Sequence, residues 1–220
     1  MKPLIIFGAG DIAELAHYYF STDSEREVAA FTVDREYLSA DTLHGLPVLA
    51  FEEVADRFPP SSHDMFVALS YTKLNRLRRE KVDAARALGY RLASYVSSRC
   101  TYLAPQQPGE NSFILEDNTI QPFVSIGENV TLWSGNHIGH HSVIGNDVFI
   151  ASHVVVSGGV RIGDGCFIGV NATLRDHIAI GPRCVIGAGV VMLADAEAEG
   201  VYAAEATERS RVPSARLKRI

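Results

Sequence analysis

The chain has 220 residues, enough for one large or two small domains, and its apolar and charged fractions are those of a globular protein with a real core. Its formal net charge is −6, and the absence of a basic excess argues against a general nucleic-acid binder, which presents a basic face. Small anionic ligands are not excluded, because local basic groups or backbone N–H donors suffice to hold them.

Met1-Lys2-Pro3 leads straight into Leu4-Ile5-Ile6-Phe7-Gly8, an apolar run too short for a signal peptide or a membrane span. No later segment is long and apolar enough for one, so no membrane insertion is expected. Of the three cysteines, none forms a CxxC pair. They read as small buried hydrophobes in a reduced compartment, which points to the cytoplasm.

Residues 1–97 alternate strand with helix. Strands are predicted at 4–7, 28–33, 46–49, 65–69 and 91–96, and helices at 11–20, 51–58 and 73–88. This order implies an α/β, Rossmann-like domain with a doubly wound parallel sheet. Gly8-Ala9-Gly10-x-x-Ala13 lies between the first strand and the first helix. The N–H groups of such a turn, with the helix N-terminus, make an anion cradle. Alone, the pattern suggests NAD, with Asp34 on a ribose hydroxyl, but the domain is too small for a six-stranded dinucleotide fold. Asn75 and Arg76, where the charged helix begins, are candidates for a diphosphate, with a solvated helix face the plainer reading of Arg76.

From about Val96 the pattern changes. Aliphatic residues recur every six positions: Ile114, Ile120, Ile126, Leu132, Ile138, Ile144, Ile150, Val156, Ile162, Ile168, Leu174, Ile180, Ile186 and Met192. This period fits neither a helix nor a simple alternating strand; it is the signature of a parallel β-helix of hexapeptide repeats, left-handed in this class. Three hexads make one triangular coil, so residues i and i+18 stack, about 4.8 Å apart. Val96, Tyr102 and Pro108 can be placed in phase, as an imperfect first coil. Asn118 and Asn136 share a column and are expected to form an amide ladder, and Cys166 stacks on Cys184. The register dissolves after Met192. The basic end, with Arg209, Arg211, Arg216, Lys218 and Arg219, reads as a solvated tail or as a cover over an anionic ligand.

With Ile6-Phe7-Gly8-Ala9-Gly10, Asp34, Ile138-Gly139-His140-His141 and Ser157-Gly158-Gly159 in view, the chain resembles bacterial hexapeptide-repeat sugar acyltransferases. These are the sialic acid O-acetyltransferases and the nucleotide-amino-sugar N-acetyltransferases. The resemblance implies two domains, residues 1–97 for the nucleotide-linked sugar and residues 98–220 for acyl transfer. It further implies a homotrimer, acetyl-CoA as donor, and a product used in surface glycan synthesis. Members often follow the histidine with Glu or Asp, where this chain has His141, and many close with a Gly-x-Pro-Ala turn, where this chain has Val201-Tyr202-Ala203-Ala204.

Acyl transfer to an amine needs a base, a polarised carbonyl and alignment of both reactants. His140, outward at a hexad corner, is the candidate base, since imidazole accepts a proton near neutral pH. His141 reads as a substrate contact, as do Gly8, Ala9, Gly10 and Asp34. Gly158, eighteen residues on from His140, is placed to give its N–H to the thioester oxygen. The resemblance adds Val170 and Ala188 beside the pantetheine arm. The His137, His140 and His141 spacing lacks helical i, i+4 ligand geometry and a neighbouring cysteine or carboxylate, so it is not read as a metal site. The leading expectation is N-acetylation of a nucleotide-linked amino sugar. The alternatives are O-acetylation of a sugar of sialic acid type and a non-catalytic nucleotide-sugar-binding trimer.

Overall fold

The structure is a computed structural model and describes residues 1–216, so Lys218 and Arg219 of the basic end lie outside the described residues. The N-terminal elements are β1 (Leu4–Phe7), α1 (Asp11–Thr22), β2 (Val28–Val33), β3 (Thr42–Leu43), β4 (Leu46–Ala50), α2 (Val54–Arg57), β5 (Asp64–Val67) and α3 (Arg76–Ala87). The sheet order is β3-β4-β2-β1-β5, parallel except for β3, which forms a hairpin with β4. Because successive side chains point to opposite faces, β1 feeds two cores. Leu4 and Ile6 meet Ala13, Ala16 and Phe20 of α1. Ile5 and Phe7 meet Val54 of α2 and Val82 and Ala85 of α3.

Three expectations for this half are corrected. The segment 91–96 is not a strand of the α/β sheet: Leu92 makes a single bridge to Met65, and Tyr95–Val96 pairs instead with Phe113–Ile114. The charged helix begins at Arg76 rather than at 73, because Lys73, Leu74 and Asn75 all take left-handed backbone (φ 53°, 53° and 64°). Such a run costs roughly 1–2 kcal/mol per residue. It is anchored by the buried Asn75, whose Nδ2 donates to the carbonyls of Cys166 (3.2 Å) and Gly165 (3.5 Å). Asn75 therefore faces the β-helix and not a diphosphate. The antiparallel β3 is too short to leave a period of its own.

The second half is a three-faced prism in which each strand from Tyr95–Val96 to Thr173–Leu174 pairs in parallel with the strand eighteen residues on. The first face runs from Tyr95–Val96 through Phe113–Ile114, Thr131–Leu132, Phe149–Ile150, Phe167–Ile168 and Val185–Ile186 to Val201–Tyr202. The second runs from Thr101–Tyr102 to Val191–Met192, and the third from Ser125–Ile126 to Ala179–Ile180. The second residue of each hexad strand points inward: Ile114, Leu132, Ile150, Ile168 and Ile186 are all 0 % exposed. The corners turn through left-handed residues such as Asn129, Asp147 and His153, residue types that tolerate φ near +60°.

The repeat does not end at Met192. Ala196 bridges Ile180, and Val201–Tyr202 pairs with Val185–Ile186, a step of sixteen residues rather than eighteen. A two-residue shortening thus hides a last partial coil from a strict hexad count. The asparagine column also differs in detail. Asn118 Oδ1 accepts the N–H of Asn136 (3.1 Å), and Asn136 Oδ1 accepts that of Val154 (2.7 Å), so the ladder runs through backbone groups. Cys166 and Cys184 are buried and free.

The α/β unit lies on the first face. Outward aromatics there meet it: Phe113 lies 5.3 Å from Phe66, and Phe149 and Phe167 lie 5.0 and 4.8 Å from Tyr71, between ring centroids. At the corner between the third and first faces, α3 contributes a clamp of arginines. Arg79 reaches Asp147 (2.8 Å) and Glu128 (2.7 Å), and Arg86 reaches Glu110 (3.1 Å). Arg78, 2 % exposed, donates to the Asn129 side chain (3.0 Å) and carbonyl (2.9 Å). The corner between the second and third faces lies opposite the covered face; it is called the far edge below.

Candidate active site

His140 and His141 form the turn between His137–Ile138 and Val143–Ile144, on the far edge, and both are exposed. The His140 N–H donates to Gln121 Oε1 (2.9 Å), which pins the turn to the preceding coil. Gly158 lies one coil further along, under the ring: a Cβ there would stand 2.6 Å from His140 Cε1 and 2.7 Å from Nε2. The glycine thus lets the imidazole pack directly on the backbone of the next coil. The Gly158 N–H meets no acceptor among the described residues, whereas the Gly159 N–H is taken by the His140 carbonyl (2.8 Å). An imidazole nitrogen beside a free N–H donor is the arrangement that proton removal and oxyanion stabilisation together require. The Nδ1 atoms of His140 and His141 are 3.1 Å apart, and the His141 ring lies 4.7 Å from that of Phe123, between centroids.

Gly8, Ala9, Gly10 and Asp34 come together in a cleft of about 600 Å³, with Tyr37, Lys73 and Lys81. Gly8 has φ +126°, and a Cβ there would meet the Ala68 carbonyl oxygen at 2.8 Å, so only glycine fits. The Ala9 and Gly10 N–H groups donate to no acceptor among the described residues, and α1 begins immediately after them. They point to an anion site of the kind found at strand–turn–helix junctions. Asp34 is held by Lys81 at 2.6 Å, and the Lys81 ammonium lies 5.5 Å from the Phe7 ring centroid. Lys81 was not singled out by the sequence, because its partner is far away in the chain; its position on the α3 face toward β1 is the signal that could have found it. Arg76 is exposed and lies outside this cleft.

Val170 and Ala188 occupy neither place. They line a second cleft of about 630 Å³ at the corner between the first and second faces, with Trp133, Phe149, Phe167, Tyr71 and the first turn of α1. Within one chain, then, the cradle and this apolar cleft share the side of the prism that carries the α/β unit. His140 and Gly158 lie on the opposite edge. Among the described residues no group of three or more His, Cys, Asp or Glu is placed to hold a metal, and no helix is long and apolar enough to cross a membrane.

Residues 123–158, 141–176 and 159–194 match the family described as bacterial transferase hexapeptide (six repeats). The matched residues form the middle of the prism. No curated protein matches the chain. Among solved structures, the acetyltransferase domain of PglB from Neisseria gonorrhoeae FA1090 is 22% identical, with a TM-score of 0.80, over 93% of this chain and 97% of that one. PerB from Caulobacter crescentus, solved with CoA and GDP-perosamine, is 21% identical, with a TM-score of 0.81, over 93% and 95%. WeeI from Acinetobacter baumannii AYE is 21% identical, with a TM-score of 0.78, over 91% and 96%. These likenesses establish the fold along almost the whole chain: a Rossmann-like α/β unit followed by a left-handed parallel β-helix.

Proposed function

We propose that the chain is an acetyl-CoA-dependent N-acetyltransferase acting on a nucleotide-linked amino sugar. The observation that carries this reading is the His140–Gly158 pair, an exposed imidazole packed on a glycine whose N–H is uncommitted among the described residues. The fold shared with PerB, a protein solved with CoA and GDP-perosamine, supports the donor and the acceptor class.

In this reading the sugar amine is bound as the free base, and His140 Nε2 accepts its proton as it attacks. The amine nitrogen bonds to the thioester carbon, and the Gly158 N–H receives the developing oxyanion. The carbon–sulfur bond then breaks, and the proton held by His140 goes to the departing thiolate. Amide and CoA thiol are the products, and no enzyme-bound acyl group is needed. Gly8, Ala9, Gly10 and Lys81 take the diphosphate, and Asp34 takes the ribose or base.

A homotrimer completes the site. The cradle and His140 of one chain are on opposite sides of the prism, so a sugar held by one copy reaches His140 of the next. Phe123, Val155, Val191 and Leu193, 40–64% exposed along the second face and the far edge, supply an apolar seam for that contact. The same assembly brings Val170 and Ala188 of one copy beside the donor's pantetheine arm in a groove opposite His140 of another. The division into residues 1–97 and 98–220 assigns acceptor and donor to separate halves, and three unpaired cysteines suit the reducing cytoplasm.

The test is release of CoA thiol from acetyl-CoA in the presence of uridine-, thymidine- and guanosine-linked amino sugars. Turnover with an amino sugar of one nucleotide class supports the reading. Turnover only with hydroxyl acceptors supports O-acetylation instead, and nucleotide binding with no thiol release supports a non-catalytic binder.

A further inference from the structure

The two histidines of the far edge are neighbours in chemistry as well as in sequence. His140 Nδ1 and His141 Nδ1 are 3.1 Å apart, with the two rings nearly perpendicular at 86°. Two imidazole nitrogens at that distance share one proton, so one donates and the other accepts. We infer that His141 is a positioning residue for His140: its Nδ1 accepts the His140 Nδ1–H and fixes the tautomer that leaves His140 Nε2 bare over Gly158. This inference rests on the reading of His140 as the base.

The surroundings hold the two rings in this arrangement. His141 has φ +59°, and its ring lies against Phe123, at 34° to it, so backbone and packing both constrain its orientation. The backbone N–H of His141 donates to the Pro122 carbonyl (3.3 Å), and that of His140 to Gln121 Oε1 (2.9 Å), so both halves of the pair are tied to the preceding coil. The other groups of this edge in the preceding coil, Gln121, Pro122 and Phe123, carry no charge. In the following coil Ser157, Gly158 and Gly159 carry none. Further along the edge the His177 ring leans back onto Gly159, in the coil next to the pair, and is a titratable neighbour that bears no carboxylate, while Arg175 and Asp176 lie two coils from His140, roughly 10 Å away at the usual strand spacing. No carboxylate therefore stands closer along the edge to accept the Nδ1 proton, and His141 is the acceptor in reach.

When His140 takes the amine proton at Nε2, its Nδ1–H becomes a charge-assisted donor to a neutral His141. A neutral imidazole supports that cation less than a carboxylate does, and it withdraws its lone pair when it is itself protonated. The productive form is thus the pair with no added proton, in which His141 keeps its Nδ1 lone pair for the bond.

The experiment compares His141→Phe, His141→Glu and His140→Ala with wild type, using acetyl-CoA and the active acceptor, across pH 5 to 9. Phenylalanine keeps a ring against Phe123 and removes the acceptor. It is expected to lower kcat about tenfold or more with both KM values nearly unchanged, and to move the acid limb of kcat/KM to lower pH. Glutamate keeps an acceptor and is expected to recover most of kcat, with the acid limb displaced to higher pH than wild type. His141→Phe with wild-type kcat and an unmoved acid limb overturns the inference while leaving His140 as base, provided that His140→Ala is inactive. An active His140→Ala overturns the reading on which it rests, and the inference with it. If His141→Phe fails to fold, His141→Glu decides alone, because an acid limb that stays at the wild-type pH contradicts an accepting role.

Discussion

The His140 ring stands directly over Gly158, so close that a Cβ on the glycine would come within 2.7 Å of the Nε2 atom. His140 is exposed and its ring can yield by giving up the bond to His141, so Gly158→Ala should leave the fold intact. The melting temperature should change by no more than a few degrees, while kcat falls at least about tenfold because the base is displaced and the N–H screened. A Gly158→Ala protein that is fully active would show that the space over this glycine is not used.

Asp34 and Lys81 pair across the cradle at 2.6 Å, partly exposed, and such pairs contribute only about 0–1 kcal/mol to stability. Their value in this account lies in binding. Lys81→Ala should weaken the affinity for the acceptor's nucleoside diphosphate by about tenfold, one charge-assisted contact, with little change in thermal stability. Titration calorimetry with UDP, TDP and GDP checks this, and undiminished affinity for all three contradicts the placement.

Arg78 is buried between α3 and the prism, and burial pushes its guanidinium down, to about 10, without discharging it at neutral pH. It donates to the side chain and carbonyl of Asn129 and, at 3.4 Å, to the carbonyl of Leu69. Arg78→Met fills the same space but leaves the Asn129 and Leu69 carbonyls without that donor, while Asn129 Oδ1 keeps its bond from Asn111 Nδ2. Urea denaturation should show a loss of about 2–4 kcal/mol. Unchanged stability would mean that water or a neighbour satisfies them.

Asp23, at the end of α1, joins the two halves. Hydrogen bonds from Ser98 first and Tyr95 second hold its carboxyl at about 2, below its ordinary value of 3.8. The Tyr95 hydroxyl stands 2.5 Å away and the Ser98 N–H 2.9 Å. A carboxyl depressed on folding stabilises above its unfolded value and loses that contribution as pH falls. The stability gap between wild type and Asp23→Asn should therefore be full above about pH 5 and shrink as pH falls through about 4 toward 2. A gap independent of pH would contradict this role.

The apolar seam predicts its own phenotype. Val155→Asp combined with Leu193→Asp should convert a trimer into monomers in light scattering and abolish turnover, since charges in a buried seam are costly. A wild-type protein that is monomeric at micromolar concentration would remove the need for the seam.

Much of the prism is legible in the sequence because each coil repeats one local rule, an inward aliphatic every sixth residue. That rule places Gly158 under His140 before any coordinates are known. It fails where a coil loses two residues, before Val201–Tyr202, and where strand-like sequence changes partner, at Tyr95–Val96. The α/β unit is legible from β1 and its glycine turn. The left-handed run at Lys73, Leu74 and Asn75 is not, because the contacts that hold it come from the distant Gly165 and Cys166 carbonyls. The Asp34–Lys81 pair and the Asn111–Asn129–Asp147 column, linked at 2.8 and 2.7 Å, escape notice for the same reason. Each is specified by tertiary neighbours and not by spacing.

The central claim is that His140 is the base for acyl transfer. The most direct measurement is steady-state release of CoA thiol by wild type and His140→Ala, with acetyl-CoA and a nucleotide-linked amino sugar, at matched fold by circular dichroism. The account predicts turnover by the wild type and a fall in kcat of about a hundredfold or more in the variant. A variant that turns over within a few-fold of wild type would contradict it.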